Sequence, residues 1–180
     1  PTAKSGRHLL EALSTDPLTI NKGLLSPKIL TPIQFLELAL DKDNNFLAFR
    51  TETMANVGAY LSNFSTVTPT ILHGTLMAGN YAVPNVYVNV KTVFTNTAPV
   101  DAYRGAGRPE ATYSLERVID KAATELGVDP IQLRRQNFIK PDQFPYVTAA
   151  GLNYDVGNYD AIMDRLEHHA DLKGFAQRRK

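Results

Sequence analysis

The chain has 180 residues with a formal net charge of +1, enough for one cored domain and without the basic field that would suggest nucleic acid or an anionic membrane as partner. It contains no cysteine, which excludes disulfides, thiolate zinc sites, cysteine nucleophiles and iron–sulfur ligation by this chain. No apolar run reaches the length of a membrane span and no apolar signal core opens the sequence, so a soluble cytoplasmic protein is expected.

Residues 1–35 read as an irregular or divergent N-terminal arm. Asp16–Pro17, Lys22–Gly23, Ser26–Pro27 and Thr31–Pro32 punctuate it, and only Gly6–Leu13 (GRHLLEAL) has the composition of a short helix. Residues 36–180 read as a domain. Leu36–Leu40 and Phe46–Val57 are strands joined by the turn-forming Asp41–Asn45, a β-hairpin. Leu61–Asn85 is rich in Ser, Thr, Gly and Pro and reads as a long ordered loop with short helical turns, a length expected where a loop lines a site or packs on another part of the protein.

Val86–Thr95 alternates and is rich in β-branched residues, which predicts a strand. A helix follows from Pro109 to Leu126, apolar at Tyr113, Leu115, Val118, Ile119, Ala122 and Leu126 and closed by Gly127. Asp129–Pro130 is an N-cap and first helical residue, opening a short helix to about Phe138. Pro141–Asn158 reads as irregular, and a last helical region starts near Tyr159. The fold class is α+β: a β-hairpin and mixed sheet with packed helices.

Between the third predicted strand and the long helix lies Asp101–Arg108 (DAYRGAGR), with two glycines in three residues flanked by arginines. Glycines there permit a close backbone approach, and Arg108 before Pro109 offers no short oxygen-bearing side chain to cap the first turn. Open first-turn amides and the helix dipole both favour an anionic ligand. The pattern is neither a P-loop nor a dinucleotide fingerprint, since it lacks Gly-Lys-Ser/Thr and the third glycine.

The wider string Asn96–Tyr113 (NTAPVDAYRGAGRPEATY), followed by Glu116–Arg117 and Leu133–Phe138 (LRRQNF), resembles the molybdenum-binding large subunit of the xanthine dehydrogenase and aldehyde oxidase family. It is most similar to the aerobic carbon monoxide dehydrogenase branch. The resemblance begins near Leu36 and implies that residues 36–180 are part of a molybdopterin-binding domain of an oxidoreductase large subunit. It implies a molybdenum–molybdopterin cofactor, with Arg104 as a catalytic residue facing a small-molecule substrate, Tyr103 beside it, and Gly105, Ala106, Gly107 and Arg108 holding the cofactor. No side chain of this chain is expected to ligate a metal.

The family's general base, a glutamate in a Gly-Val-Gly-Glu context, is absent from this sequence, as is its Gly-Gly-Phe-Gly segment. The resemblance therefore implies a partial subunit, inactive alone, whose partners are the remaining part of the large subunit, an iron–sulfur small subunit and an FAD medium subunit. In the carbon monoxide branch a cysteine that links copper to molybdenum stands where this chain has Gly105. Its absence favours hydroxylation of an aldehyde or heterocycle carbon.

Each residue also has a plainer role. Arg104 can bridge loop carbonyls, Tyr103 can anchor the loop in the core, Arg108 can brace the loop, and Glu110 answers the helix dipole. His73 is a loop histidine more often hydrogen-bonded than proton-carrying. A non-catalytic remnant or interaction module that keeps the fold, and a phosphate-binding module, are the alternative functions.

Overall fold

The computed structural model describes residues 8–14 and 33–179. Its main sheet has four strands in the order β1 (His8–Ser14), β2 (Ile33–Leu40), β3 (Phe46–Gly58) and β4 (Val86–Phe94). β1 pairs antiparallel with β2 and β2 with β3, whereas β3 and β4 run parallel. The sheet is mixed, as the sequence predicts. The helix expected within Gly6–Leu13 is instead the strand β1, with His8 opposite Leu40 and Leu13 opposite Phe35. Its Leu, Glu and Ala favour a helix in isolation, but pairing along all of β2 outweighs that small local preference. Gly6, Arg7 and the rest of the arm up to Pro32 lie outside the described residues. β2 begins at Ile33, three residues before the predicted start.

Alternation sets the buried face. Gln34, Leu36, Leu38 and Leu40 of β2 point inward, as do Phe49, Thr51, Thr53, Ala55 and Val57 of β3. Opposite Ala39 and Leu40 stand Ala48 and Phe46, so Leu47 is an extra residue in β3, and that bulge lets Phe46 and Phe49 both face the core. Helix α1 (Arg108–Leu126) covers this face through Ala111, Leu115, Val118, Ile119 and Ala122.

The parallel β3–β4 pairing explains the long segment between them. Parallel neighbours cannot be joined by a tight turn and need a crossover. Residues 59–85 supply it, with one wide helical turn at Thr68–Leu72 in which Leu72 N–H donates to the Val67 carbonyl at 3.1 Å. The crossover's Met77, Ala78 and Tyr81 enter the core.

Helix α2 (Pro130–Asn137) is capped by Asp129, whose carboxylate accepts from Ile131 and Gln132 N–H. The LRRQNF string at its end is a clasp. Asn137 Oδ1 accepts from Phe46 N–H at 2.7 Å, and its amide nitrogen donates to the carbonyls of Asn44 and Leu133 at 3.0 and 2.9 Å. Gln136 donates to the Asp43 carbonyl and Asn45 Oδ1. Arg134 pairs with Glu116 and Asp120 of α1, and Phe138 stacks on Tyr81. Arg135 reaches Asp164 and Glu167 of α3 (Tyr159–Ala170). The stretch predicted as irregular contains a small antiparallel pair, β5 (Tyr146–Val147) with β6 (Asn153–Tyr154). A short helix, α4 (Phe175–Arg178), follows α3.

The clasp yields the first prediction. Asn137→Ala leaves the buried Phe46 amide without its partner, a loss of about 1–3 kcal/mol, and removes the bond to the part-buried Asn44 carbonyl as well. Chemical denaturation should show a loss of about 2–4 kcal/mol. Lys121→Ala, which breaks only the exposed pair with Glu125, should stay within about 0.5 kcal/mol of the unaltered chain.

Candidate functional site

The loop before α1 has an unusual backbone. Gly105, Ala106 and Gly107 are three consecutive residues in the left-handed region, with φ of +102°, +35° and +89°. Two successive turns hold them: Ala106 N–H donates to the Tyr103 carbonyl and Arg108 N–H to the Gly105 carbonyl, both at 2.9 Å. Gly107 is the N-cap of α1 and no side chain caps the helix. A β-carbon on Gly107 would lie 2.7 Å from the Thr68 carbonyl oxygen and 2.8 Å from the His73 nitrogen, distances no real β-carbon tolerates. Glycine is needed here both for its φ and for the space. The loop thus sits directly on the crossover's wide helical turn, backbone against backbone.

The predicted site residues are therefore contiguous on one loop. Tyr103, Arg104 and Arg108 are exposed, while Gly105 and Ala106 are partly buried and Gly107 is buried. Among the described residues the side chains of Arg104 and Arg108 take part in no hydrogen bond or ion pair, so the plainer role of Arg104 as a bridge between loop carbonyls has no bond behind it. Tyr103 is 60% exposed and does not anchor the core.

Beneath the loop lies a polar cluster that the sequence reading missed. Ser114 of α1 donates to Gln34 Oε1, and the Gln34 amide nitrogen donates to Thr53 Oγ1 at 3.3 Å and lies 3.2 Å from His73 Nε2. Thr51 and Thr53 hydroxyls are 3.3 Å apart. All five residues are buried. With the Gln34 amide as donor, His73 Nε2 is the acceptor and Nδ1 carries the proton; Nδ1 is buried without a partner among the described residues. Burial lowers the His73 pKa to about 4, so the ring is neutral and, at 1% exposure, no route leads a proton from it to solvent. The bystander role fits His73 better than proton carriage. The available signal was the pair of inward-facing threonines in β3 and a serine on the apolar stripe of α1.

Glu110, assigned from sequence to the helix dipole, has a second feature. Burial raises its pKa, with the backbone at Glu110 and Gly107 pulling the other way, and its Oε2 is buried without a partner among the described residues.

A family model of the molybdopterin cofactor-binding domain matches residues 32–138. The chain belongs to the molybdopterin cofactor-binding domain family. The carbon monoxide dehydrogenase large chain of Hydrogenophaga pseudoflava is 36% identical over 143 residues, which cover 77% of this chain and 18% of that protein. A solved carbon monoxide dehydrogenase from Oligotropha carboxidovorans superposes with a TM-score of 0.73 at 33% identity, covering 82% of this chain and 18% of the other. Quinoline 2-oxidoreductase from Pseudomonas putida 86 superposes at 0.72 with 32% identity, covering 81% and 19%. The chain thus spans about a fifth of the length of the relatives it matches, and its fold is that of part of a molybdenum hydroxylase large subunit. No described helix is long and apolar enough to cross a membrane.

The loop is chemically suited to the anionic cofactor that gives this domain family its name. The exposed guanidinium groups of Arg104 and Arg108, with the positive end of the α1 dipole between them, supply the positive potential. Among the described residues there is no group of three His, Cys, Asp or Glu side chains placed to hold a metal ion.

The buried His73 gives the molybdopterin-binding domain a pH signature. The folded ring resists protonation down to about pH 4, whereas the unfolded ring takes a proton below its ordinary 6.5. Between those values the unfolded state binds more protons, so stability falls as pH drops through the window, by at most about 3 kcal/mol. Glu110, with its raised pKa, acts in the opposite sense, since the unfolded carboxyl ionises first as pH rises past its ordinary 4.5. Thermal melts from pH 7 to 4 should show the His73 slope, and His73→Gln should flatten it. An unchanged slope in that variant would show that another group carries the acid sensitivity.

Proposed function

We propose that this chain forms one wall of the active site of a molybdenum hydroxylase that acts on an aldehyde or heterocycle carbon. When bound, the molybdenum cofactor supplies the two-electron oxidation that puts an oxygen atom on the substrate carbon. The chain's own residues position and stabilise. Gly105 and Ala106 bring the loop backbone close to the cofactor, Gly107 seats the loop on the crossover behind them, and Arg108 offers a charged fork to an anionic group on the cofactor. Arg104 presents its guanidinium to a substrate oxygen or to charge developing there, with Tyr103 as a flat neighbour. The observation that carries this reading is the run of three left-handed residues at an uncapped helix start, lying inside the segment that matches the cofactor-binding family.

Position 105 bears on the reaction. Gly105 has φ +102°, and a β-carbon there would lie 2.9 Å from the Pro109 ring. A copper-linking cysteine at this position would be strained both by its backbone and by that ring, which supports hydroxylation over copper-dependent oxidation of carbon monoxide. Electrons would leave through an iron–sulfur small subunit and an FAD medium subunit, since this chain has no cysteine with which to hold an iron–sulfur centre itself. The general base belongs to polypeptide outside this segment, so the chain alone should give no turnover with aldehydes or purines.

In a complete enzyme carrying this segment, Arg104→Lys keeps the charge and loses the planar fork. Loss of a charge-assisted contact to the transition state should lower kcat/KM per molybdenum by about thirty- to a thousandfold. An arginine that only shapes the loop would instead lower melting temperature or cofactor content. Activity per molybdenum within about twofold of the unaltered enzyme, a barrier change near 0.4 kcal/mol, would remove Arg104 from the catalytic role.

A further inference from the structure

β4 ends the described sheet, and Lys91 is its one edge-protecting device. Among the described residues nothing pairs with its outer side. Its nine residues contain no proline, and the only charge is Lys91. Which groups face outward follows from the register. Phe49 stands opposite Val86, and its N–H donates to the Asn85 carbonyl at 2.9 Å. In a parallel ladder each residue bonds the two neighbours of its opposite residue, so Asn85, Tyr87, Asn89 and Lys91 turn their backbone groups toward β3. Val86, Val88, Val90 and Thr92 then turn theirs outward.

The same residues carry the apolar side chains. Val86, Val88 and Val90 line a groove of about 430 Å³ with Ile71, Thr75 and Ala150, and Ile71 is 62% exposed. On the opposite face Tyr87 and Lys91 are exposed, with the Arg50 guanidinium 5.5 Å above the Tyr87 ring. An added strand would gain a row of backbone bonds from the outward groups. Its alternate side chains would fall on an apolar groove on one face and, on the other, on a polar, aromatic surface where Arg50 is paired with Glu37 and Glu52 and Lys91 stands exposed.

We propose that the outer edge of β4 pairs with a β-strand supplied by large-subunit polypeptide outside this segment. That strand is apolar at the positions facing Ile71 and Val88 and polar or acidic at those facing Tyr87 and Lys91. The source follows from length: the matched segment is 18% of the Hydrogenophaga pseudoflava large chain, so most of such a subunit lies elsewhere and is available to cover this edge. The inference rests on the proposed large-subunit role only for where the strand comes from.

The test uses the 180-residue chain and overlapping peptides of about fifteen residues, long enough for one strand, drawn from the unmatched parts of that large chain. At least one peptide should bind, and hydrogen exchange should slow at Val86, Val88, Val90 and Thr92 while leaving the amides already bonded to β3 unchanged. Val90→Pro removes one outward N–H at a place where an edge strand tolerates proline, and it should weaken binding about tenfold or more while leaving the circular dichroism spectrum intact. If that variant does not fold, Ile71→Asp, an exposed change at the groove, should weaken binding with the fold retained. Absence of any binding peptide, or binding without the alternating protection, overturns the proposal. So does the alternating protection appearing without peptide in a concentration-dependent dimer, which would make a second copy the occupant. No readout involves molybdenum, so failure to load cofactor is decided separately.

Discussion

The contact of Gly107 with Thr68 and His73 is the constraint on which the site depends. It joins two backbones at a distance that leaves no room for any side chain, so the path of the site loop is fixed by the path of the crossover. The crossover in turn exists because β3 and β4 are parallel, and its core residues Met77, Ala78 and Tyr81 hold it against the sheet and α1. The start of α1, the left-handed run before it and the exposure of Arg104 and Arg108 follow from that single seat. A loop fixed by backbone contact keeps its shape without spending side chains on the task, and its side chains remain free to meet a ligand.

Two polar systems support the seat, and their magnitudes differ from their number of bonds. The buried cluster of Gln34, Thr53, His73 and Ser114 joins β2, β3, the crossover and α1 where a missing partner costs about 1–3 kcal/mol. The clasp formed by Asn137 and Gln136 acts likewise on the hairpin turn. Exposed ion pairs such as Lys42–Asp43 contribute about 0–1 kcal/mol and decide little. Arg134 is intermediate: it is largely covered and bonded to two carboxylates of α1, while Tyr81 donates to one of them at 2.9 Å, so losing the arginine would expose two elements to repacking.

Much of this was legible in the sequence, for local reasons. The β2–β3 hairpin follows from alternation around an Asp- and Asn-rich turn, α1 from its apolar stripe and Gly127, and α2 from Asp129–Pro130, whose cap bonds are present. What was not legible depends on partners far along the chain. β1 has helical composition and becomes a strand only because β2 pairs with it. Parallel pairing of β4 leaves no mark on its own residues. Gln34 and Ser114 are 80 positions apart, and nothing local announces their bond. The site loop lies between these cases: its glycines were visible, but Ala106 at φ +35° was not, since alanine does not advertise a left-handed backbone.

That alanine shows how the loop divides its labour. A left-handed alanine between two left-handed glycines is a conformation the isolated tripeptide would seldom hold, so the surrounding contacts impose it at a cost of about 1–3 kcal/mol. Proteins named for carbon monoxide and for quinoline share the fold at TM-scores of 0.73 and 0.72. A common fold therefore accompanies different reactions, and the fold alone does not choose between them. In this chain the path is held by Gly107 and the crossover, and the side chains on either side of the run, Arg104 before it and Arg108 after, are left exposed.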